Sequence, residues 1–254
     1  MTAVRTALVT GAASGLGALA ARRLAAAGWD VAAADLDADG LAATARRSPN
    51  THVRVCDVAD AEAVNALVSE VGAVHRVVHA AAVGPMVPAL EQPLPDVEHV
   101  LRTDFLGTVH VVRATLPGML ERGRGELVLF SSLAALLPVP KTSAYAAAKA
   151  AVNAYAEAVA AEHAGSGVVI RCVCPRQVDT PGFRAAASAD PAATGRMRGV
   201  PPGLVLDAVD RSLAARPAHD LYVLPDPLTR AVARARRWLP GPTARLVGRV
   251  TLSR

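Results

Sequence analysis

Short apolar runs of β-type composition alternate with helical patterns along most of this 254-residue chain. The predicted strands cover residues 6–10, 30–34, 52–56, 76–81, 126–131, 168–174 and, more weakly, 221–224. Helical periodicity predicts helices over residues 16–28, 37–47, 59–72, 96–120, 143–165 and 202–216, several of which end at Gly or Pro. Repeated alternation of this kind predicts an α/β fold with a doubly wound parallel sheet of about seven strands and helices on both faces.

Residues 180–203 interrupt the alternation, because they are rich in Gly, Ala and Pro and show no clear period. We expect them to form an irregular, mobile connection or lid. The rest of the chain has no internal repeat and no low-complexity linker. The sequence therefore predicts a single domain over residues 1–226, followed by an extension of different composition over residues 227–254.

The composition suits a chain whose central strands are covered on both faces, with 52% hydrophobic and 19% charged residues. No apolar run approaches the roughly 18 residues that a membrane-spanning helix needs. The N-terminus leads into glycines instead of a cleavage site, so we expect a cytoplasmic protein. Cys56, Cys172 and Cys174 lack the spacing of a zinc site, and we expect buried, reduced thiols and no metal.

The positive charge of the chain is concentrated at its C-terminal end. Residues 227–254 contain seven arginines and no acidic residue, so the net charge of +5 leaves the first 226 residues at −2 (+5 less +7). The basicity belongs to this segment, and the high isoelectric point does not indicate a nucleic-acid-binding fold.

The same C-terminal segment has helical amphipathicity. One stripe carries apolar side chains and the other face carries basic ones: Leu228, Ala231, Val232, Ala235 and Leu239 against Arg230, Arg234 and Arg237. Two interpretations stay open. The helix packs on its own domain or on a sister subunit, or it docks onto an anionic surface, either a membrane or an acidic carrier protein that bears the substrate.

A glycine-rich turn, "TGAASGLG", connects the first predicted strand to the first predicted helix. Gly11, Gly15 and Gly17 allow backbone N–H groups to approach a pyrophosphate, whose charge is favoured at a helix N-terminus. By itself this pattern also fits an ordinary tight turn. Asp35 ends the second strand, where a carboxylate can accept hydrogen bonds from an adenosine ribose. Because no Arg or Lys lies nearby in sequence to offset its charge, the pattern favours NAD(H) over NADP(H).

Ser132, Tyr145 and Lys149 form the candidate catalytic set. Tyr145 and Lys149 are four residues apart in a predicted helix, so they share one face. A free tyrosine, with a pKa of about 10, is a poor base near neutrality. A nearby ammonium favours the phenolate and suits the phenol to acid–base catalysis. Ser132 ends a strand, where it can hold a substrate oxygen or simply cap the next turn.

These motifs together resemble the classical short-chain dehydrogenase/reductase family over roughly residues 6–224. The resemblance rests on TGxxxGxG at residues 10–17, the acidic Asp35, the Asp57-Val58 pair, Ser132 thirteen residues before Tyr145, and YxxxK. It implies a single-domain Rossmann-type fold and a nicotinamide-dependent oxidoreductase. In this family the tyrosine exchanges a proton with the substrate oxygen while hydride passes to or from the cofactor.

The resemblance also implies the cofactor contacts and the assembly. Asp57 and Val58 would contact the adenine, Lys149 the nicotinamide ribose, and Val178 and Thr180 the carboxamide. The family usually forms a homodimer or homotetramer through the helix that carries the tyrosine and its neighbour. The full cofactor set implied is Gly11, Ser14, Gly15, Leu16, Gly17, Asp35, Leu36, Asp57, Val58, Ala80, Ala81, Tyr145, Lys149, Pro175, Val178 and Thr180.

The chain departs from the family at three places. "HAAA" at residues 79–82 replaces NNAG, and Pro175-Arg176 replaces PG. Asp104 stands where the family usually has an asparagine, and we include it among the catalytic residues as a proton-relay candidate. Its charge would counter that of the lysine and shift the pH dependence. We interpret His79 as a packed residue, whereas Arg176 fits a ligand contact and a surface ion pair equally well.

Two functional hypotheses follow. The first is an NAD(H)-dependent oxidoreductase that interconverts a secondary alcohol and a ketone on a hydrophobic small molecule. Apolar residues between Ser132 and Tyr145 would line its pocket or else form core: Leu133, Leu136, Leu137 and Val139. The alternative, motivated by the altered motifs, is a protein that binds NAD(H) but acts as a non-redox cyclase, isomerase or sensor.

Overall fold

A computed structural model describes residues 5–46, 48–189, 199–215, 220–239 and 241–242. Seven strands form one sheet, and every adjacent pair is parallel. In chain order they are β1 (Thr6–Thr10), β2 (Asp30–Asp35), β3 (Thr51–Val55), β4 (Arg76–His79), β5 (Gly125–Phe130), β6 (Val168–Val173) and β7 (Tyr222–Val223). Their order across the sheet is β3-β2-β1-β4-β5-β6-β7. The predicted fold class is confirmed.

Helices cover both faces of this sheet. They are α1 (Gly15–Ala26), α2 (Ala38–Ala45), α3 (Ala61–Val71), α4 (Leu94–Val100), α5 (Gly107–Glu121), α6 (Leu133–Leu136), α7 (Ser143–Glu162), α8 (Pro181–Ala189), α9 (Pro202–Ala214) and α10 (Pro227–Trp238). A π-helical turn, Leu101–Leu106, joins α4 to α5. Side-chain caps fix several of the starts, as where the Asp60 carboxylate accepts from the amides of Glu62 and Ala63.

The core has two layers, one on each side of the sheet. Successive strand residues point to opposite faces, so Ala7 and Val9 of β1 pack on one side and Leu8 packs on the other. Strand β2 contributes to both layers in the same way. Val31 is buried in the first layer and Ala34 in the second. This explains why the strands read as continuous apolar runs.

The strand order reverses beside β1, which lies between β2 and β4. At such a switch point the connections leave the sheet in opposite directions and open a crevice at the carboxyl ends of the strands. The glycine turn follows β1, and the HAAA segment begins with His79, the last residue of β4. Both therefore lie at this crevice.

The segment after β6 is more ordered than the sequence predicts. Residues 181–189 form α8, where an irregular connection was expected, and residues 190–198 lie outside the described part of the chain. The reason is local: Thr180 Oγ1 accepts from the amide of Phe183 at 3.2 Å, Pro181 suits the first helical position, and alanines follow.

The cysteines are buried and free, as expected. Cys172 and Cys174 lie on one face of the β6 strand and its extension, and both Sγ atoms point to Asn153 Oδ1, at 3.2 and 3.7 Å. In the ranges that the structure describes, no helix is both long and apolar enough to cross a membrane. The same ranges contain no cluster of three His, Cys, Asp or Glu side chains that could hold a metal.

Candidate active site

The glycine turn after β1 is closely packed against the end of β4. Gly11 has a φ of +67°, and a Cβ at this position would lie 2.6 Å from the amide nitrogen of Ala81. A Cβ on Gly17 would overlap the carbonyl oxygen of Gly11. Any larger residue at either position would displace backbone atoms, so the turn depends on both glycines.

The first turn of α1 lies open to an anion. Ser14 occupies the N-cap position but makes no side-chain cap, and no acidic residue lies in the first turn. Its amides therefore keep their hydrogen-bonding capacity and the partial positive charge of the helix terminus. Gly15, with a φ of +55°, faces the side chain of Thr180. These features fit the pyrophosphate of a dinucleotide held between the turn and Thr180.

Asp35 at the end of β2 is held beside the same turn. Its Oδ2 accepts from the amide of Ala13 at 3.0 Å, and its Oδ1 accepts from the amide of Asp37 at 3.1 Å. Each carboxylate oxygen still has a lone pair for a second donor. The carboxylate can therefore accept from ribose hydroxyls while its own backbone contacts fix its position. Leu36, next in the chain, is 61% exposed.

The end of β3 lies next to Asp35. Asp57 is half-buried, and its Oδ1 accepts from the amide of Ala59 at 2.8 Å. Val58 is 5% exposed and packs against Gly107, where a Cβ would lie 2.8 Å from a valine methyl. The pair is thus held at the crevice edge, where the family resemblance implies an adenine contact.

Ser132 and Tyr145 come from adjacent elements. Ser132 caps α6 directly beyond β5, and its Oγ accepts from the amide of Ala134 at 3.1 Å. Tyr145 lies in the first turn of α7, which packs against α6. Gly84 lies flat against the tyrosine ring, since a Cβ there would be 3.0 Å from its Cδ2. The phenol is thereby held by backbone on one side.

Lys149 lies one turn further along α7 and is 2% exposed. Its Nζ lies 5.7 Å from the centroid of the Tyr145 ring and donates to the carbonyl of Phe130 at 3.1 Å. Burial, the largest single influence, would lower the pKa of Lys149, but the charge and hydrogen bonding of Asp104 together with the charge of Tyr145 raise it overall. The lysine is therefore a cation at neutral pH, fixed beside the phenol.

Asp104 lies in the π-helical turn and is fully buried. Its Oδ1 accepts from the amide of Val83 at 2.8 Å, and its Oδ2 lies 3.2 Å from Lys149 Nζ. That distance makes an ion pair, although Oδ2 has no well-aligned hydrogen-bond donor in the described part of the chain. The structure thus brings together three of the four predicted catalytic residues: Asp104, Tyr145 and Lys149.

His79 is a packed residue at the end of β4, only 2% exposed. Its Nδ1 lies 2.7 Å from the hydroxyl of Thr10, its register partner on β1. Burial, together with the charge of Lys149, lowers the pKa of His79 to about 3. The ring is therefore neutral and adds no second charge beside the lysine.

The loop after β6 completes the crevice. The carbonyl of Pro175 accepts from the amide of Leu133 at 2.8 Å, which ties this loop to the start of α6. Val178 forms a bridge with Val200, and Thr180 reaches the glycine turn. Arg176 forms an ion pair with Asp226, since its Nε lies 3.5 Å from Asp226 Oδ1. An ion pair was one of the two interpretations of Arg176 from the sequence, and the other was a ligand contact.

Three contacts were missed from the sequence. The ring of Tyr145 rests on Gly84, Asp104 is oriented by the amide of Val83, and the hydroxyl of Ser131 donates to the carbonyl of Lys149 at 3.1 Å. Only Gly84 left a signal, as an isolated glycine soon after a predicted strand. The other two are backbone contacts, which side-chain motifs do not reveal.

Comparison with known proteins places this geometry in context. The sequence model of the family described as "short chain dehydrogenase" matches residues 5–191. A 2-dehydro-3-deoxy-L-rhamnonate dehydrogenase (NAD(+)) of Sphingomonas sp. (strain SKA58) is 37% identical over 182 residues, 70% of this chain and 73% of that protein. A D-threitol dehydrogenase of Mycolicibacterium smegmatis (strain ATCC 700084 / mc(2)155) is 38% identical over 184 residues, 69% of this chain and 71% of that protein.

A solved structure shares the architecture. It is the closed form of a serine dehydrogenase complexed with NADP+, which superposes with a TM-score of 0.79 at 25% identity and covers 88% of this chain and 95% of its own. The relatives thus include one protein named for NAD(+) and one structure that holds NADP+.

Proposed function

Because the chain belongs to the short-chain dehydrogenase family, we propose that it is an NAD(H)-dependent oxidoreductase that interconverts a secondary alcohol and a ketone on a hydrophobic small molecule. The family and the dehydrogenase names of its relatives establish an oxidoreductase acting on hydroxyl groups. The cofactor, the substrate and the proton donor are our proposal. One observation carries it: a buried cation, Lys149, lies beside the ring of Tyr145 at the crevice that contains the glycine turn.

The chain's own residues account for the proton transfer. Tyr145 takes the proton from the alcohol oxygen in oxidation and returns it to the carbonyl oxygen in reduction. Lys149 stabilises the phenolate that forms, and the hydroxyl of Ser132 donates a hydrogen bond to the reacting oxygen. When bound, the nicotinamide accepts or supplies the hydride. Gly11, the first turn of α1 and Thr180 would hold its phosphates, and Asp35 its adenosine ribose.

The preference for NAD(H) rests on charge. The carboxylate of Asp35 is fixed by two backbone amides beside the glycine turn, and Asp37 and Asp39 follow it. A 2′-phosphate at the adenosine ribose would meet this negative potential, whereas two hydroxyls would donate to it. We therefore propose that NADP(H) binds far more weakly.

The proposed substrate is apolar because of the residues that follow Ser132. Leu133 and Val139 are half-buried and present apolar surface near the catalytic hydroxyl. Leu137 is 6% exposed, and the half-buried Leu136 packs against the core, so these two belong to the packed interior. Two of the four residues considered as pocket lining thus remain available to a substrate.

Replacement of Tyr145 by phenylalanine tests the proposal. Without the phenol the proton transfer is lost, and we expect kcat for a secondary alcohol to fall about 10²- to 10⁴-fold. The Kd for NADH, measured by fluorescence titration, should change less than threefold. Tyr155→Phe, on the same helix but in edge contact with Phe105, is the matched control and should keep kcat within about threefold.

Two results would contradict the proposal. Equal kcat for wild type and Tyr145→Phe would remove the tyrosine from the reaction. Tight NADH binding by the wild type, without turnover across a broad panel of ketones and secondary alcohols, would favour the non-redox alternative.

A further inference from the structure

The C-terminal helix α10 is attached to the domain by its first turn. Asp226 is 5% exposed and Thr229 is fully buried. The carboxylate of Asp226 accepts from the amide of Thr229 at 3.1 Å and from its hydroxyl at 2.6 Å, and it also pairs with Arg176. These contacts determine which side of the helix turns inward.

The inward side is not the apolar stripe. The buried edge of α10 contains Thr229, with Ala233 and Arg236 half-buried behind it. By contrast, Leu228 is 57% exposed and Trp238 is 78% exposed, and Ala231 between them is exposed as well. The outward-facing stripe of α10 is therefore Leu228, Ala231 and Trp238. Of the stripe predicted from the sequence, Leu228, Ala231 and Leu239 are exposed, whereas Val232 and Ala235 are half-buried.

Basic side chains flank this outward stripe. Arg230 and Arg234 are both exposed on α10. Residues 227–254 carry seven arginines and no acidic residue, whereas the remainder of the chain has a net charge of −2 (+5 less +7). The surface thus combines exposed Leu and Trp side chains with a strong, local positive charge, which an anionic partner would complement.

The occupant that fits best is an anionic lipid surface. Two copies meeting through the same face about a twofold axis would bring two arginine-rich segments together, and their charges would repel. Leu228 and Trp238 lie at opposite ends of the helix, about 15 Å apart at 1.5 Å per residue. An extended, convex stripe with arginine flanks and a terminal tryptophan is the arrangement of a helix that lies in a membrane interface.

We propose that α10 docks this protein on anionic membrane surfaces. The helix packs against α6, the element that Ser132 caps, so the docking face lies next to the active-site edge of the sheet. The proposal concerns the helix face alone and does not depend on the proposed redox reaction.

Vesicle co-sedimentation of the full-length protein tests the docking. We expect most of the wild type to pellet with vesicles of 70% phosphatidylcholine and 30% phosphatidylglycerol, and at least fivefold less with pure phosphatidylcholine. Leu228→Ala/Trp238→Ala and Arg230→Gln/Arg234→Gln should each reduce the pelleted fraction at least threefold. The controls truncate or neutralise exposed residues of the same kind elsewhere: Leu90→Ala/Leu94→Ala for the apolar pair and Arg22→Gln/Arg211→Gln for the arginine pair.

Each alternative gives a distinct, contradicting result. A wild type that stays in the supernatant with anionic vesicles overturns the proposal and points to an acidic protein partner. If only the arginine pair matters, the binding is purely electrostatic and the apolar docking is wrong. If either α10 variant changes the sedimentation coefficient without vesicles while its control does not, the face is an interface between copies. Thermal melts of all variants show whether the fold is retained.

Discussion

At the scale of single residues, the site is defined by one cation that two groups share. Lys149 lies beside the ring of Tyr145 and 3.2 Å from the carboxylate of Asp104. The carboxylate keeps the lysine protonated in a buried place, but it also offsets the positive potential felt by the phenol. Retention of the charge and activation of the phenol are therefore in opposition, and Asp104 sets the balance.

Asp104→Asn should shift the pH profile of alcohol oxidation to lower pH. Without the carboxylate the phenol faces an unopposed cation, so half-maximal kcat/KM should be reached about one pH unit lower. The descending limb should move the same way, because burial lowers the pKa of Lys149 once the contribution of Asp104 is gone. The measurement is kcat/KM against pH for a secondary alcohol.

Asp96→Asn, on the exposed first turn of α4, is the matched control and should leave the profile unchanged. A profile of Asp104→Asn that superposes on that of the wild type would mean that the carboxylate carries no charge in the active enzyme.

His79 should make the protein sensitive to acid. Its pKa is about 3 in the folded chain, against 6.5 for an unperturbed histidine. Between these values the unfolded chain binds a proton that the folded chain does not, so stability falls as the pH falls through this window. From pH 7 to pH 5 the contribution of this one group is about 2 kcal/mol. Between pH 7 and pH 5, the unfolding free energy of His79→Asn, measured with urea, should fall by about 2 kcal/mol less than that of the wild type.

The control for that experiment is His52→Asn, because the side chain of His52 is 50% exposed and solvent screens its contact with Asp30. Its loss of stability between pH 7 and pH 5 should match that of the wild type. An equal loss in His79→Asn would show that the acid sensitivity arises elsewhere.

Local spacing in the sequence predicted part of the site, but it could not predict contacts between residues far apart in the chain. Tyr145 and Lys149 are one helical turn apart, so their shared face follows from the sequence. The direct pairing of Lys149 with Asp104 does not, because the two residues are 45 positions apart and the π-helical turn sets the register of the carboxylate. Asp104 was a candidate on sequence grounds, but the hydrogen bond that it accepts from the amide of Val83 was not foreseen.

At the scale of elements, sequence periodicity predicted the strands of the sheet well. It predicted the helices after β6 less well. Every predicted strand is present within two residues at either end, because a buried parallel strand needs a continuous apolar run. Helix α8 was missed, since Gly, Ala and Pro dominate the sequence around it and its start depends on the hydroxyl of Thr180. The orientation of α10 was also undetermined, because the buried Asp226–Thr229 cap, not the apolar stripe, faces the domain.

The β1–α1 turn should bind the cofactor more weakly when a side chain is placed at its tightest backbone contact, between Gly17 and Gly11. Gly17→Ala places a Cβ onto the carbonyl of Gly11, so the backbone must move. We expect at least tenfold weaker NADH binding by fluorescence titration and a loss of about 1–3 kcal/mol in unfolding free energy.

Gly118→Ala is the matched control within α5. There a Cβ meets mainly the guanidinium end of the Arg122 side chain, at 3.1 Å, which must shift by only a few tenths of an ångström, and alanine favours helix by up to about 1 kcal/mol. NADH binding should be unchanged in this variant. Unaltered binding in Gly17→Ala would place the pyrophosphate away from the turn.

At the scale of the whole molecule, one crevice joins elements from both halves of the sheet. The glycine turn, the end of β2 and the loop after β6 all meet at the carboxyl edge of the strands, and Thr180 touches the turn from the far half. A ligand bound there contacts both halves, so its binding energy should stabilise the folded chain as a unit.

Thermal unfolding with each cofactor should therefore report the preference created by Asp35. At one hundred times its Kd, a ligand adds about 2.7 kcal/mol, which for a chain of this size raises Tm by roughly 5–10 °C. We expect NADH to produce this shift in differential scanning fluorimetry and NADPH, at the same concentration, to produce less than half of it. Asp35→Ser should narrow the difference, because the repulsion of a 2′-phosphate is removed while hydroxyl contacts are weakened. Equal shifts by the two cofactors in the wild type would mean that the fixed carboxylate does not face the ribose.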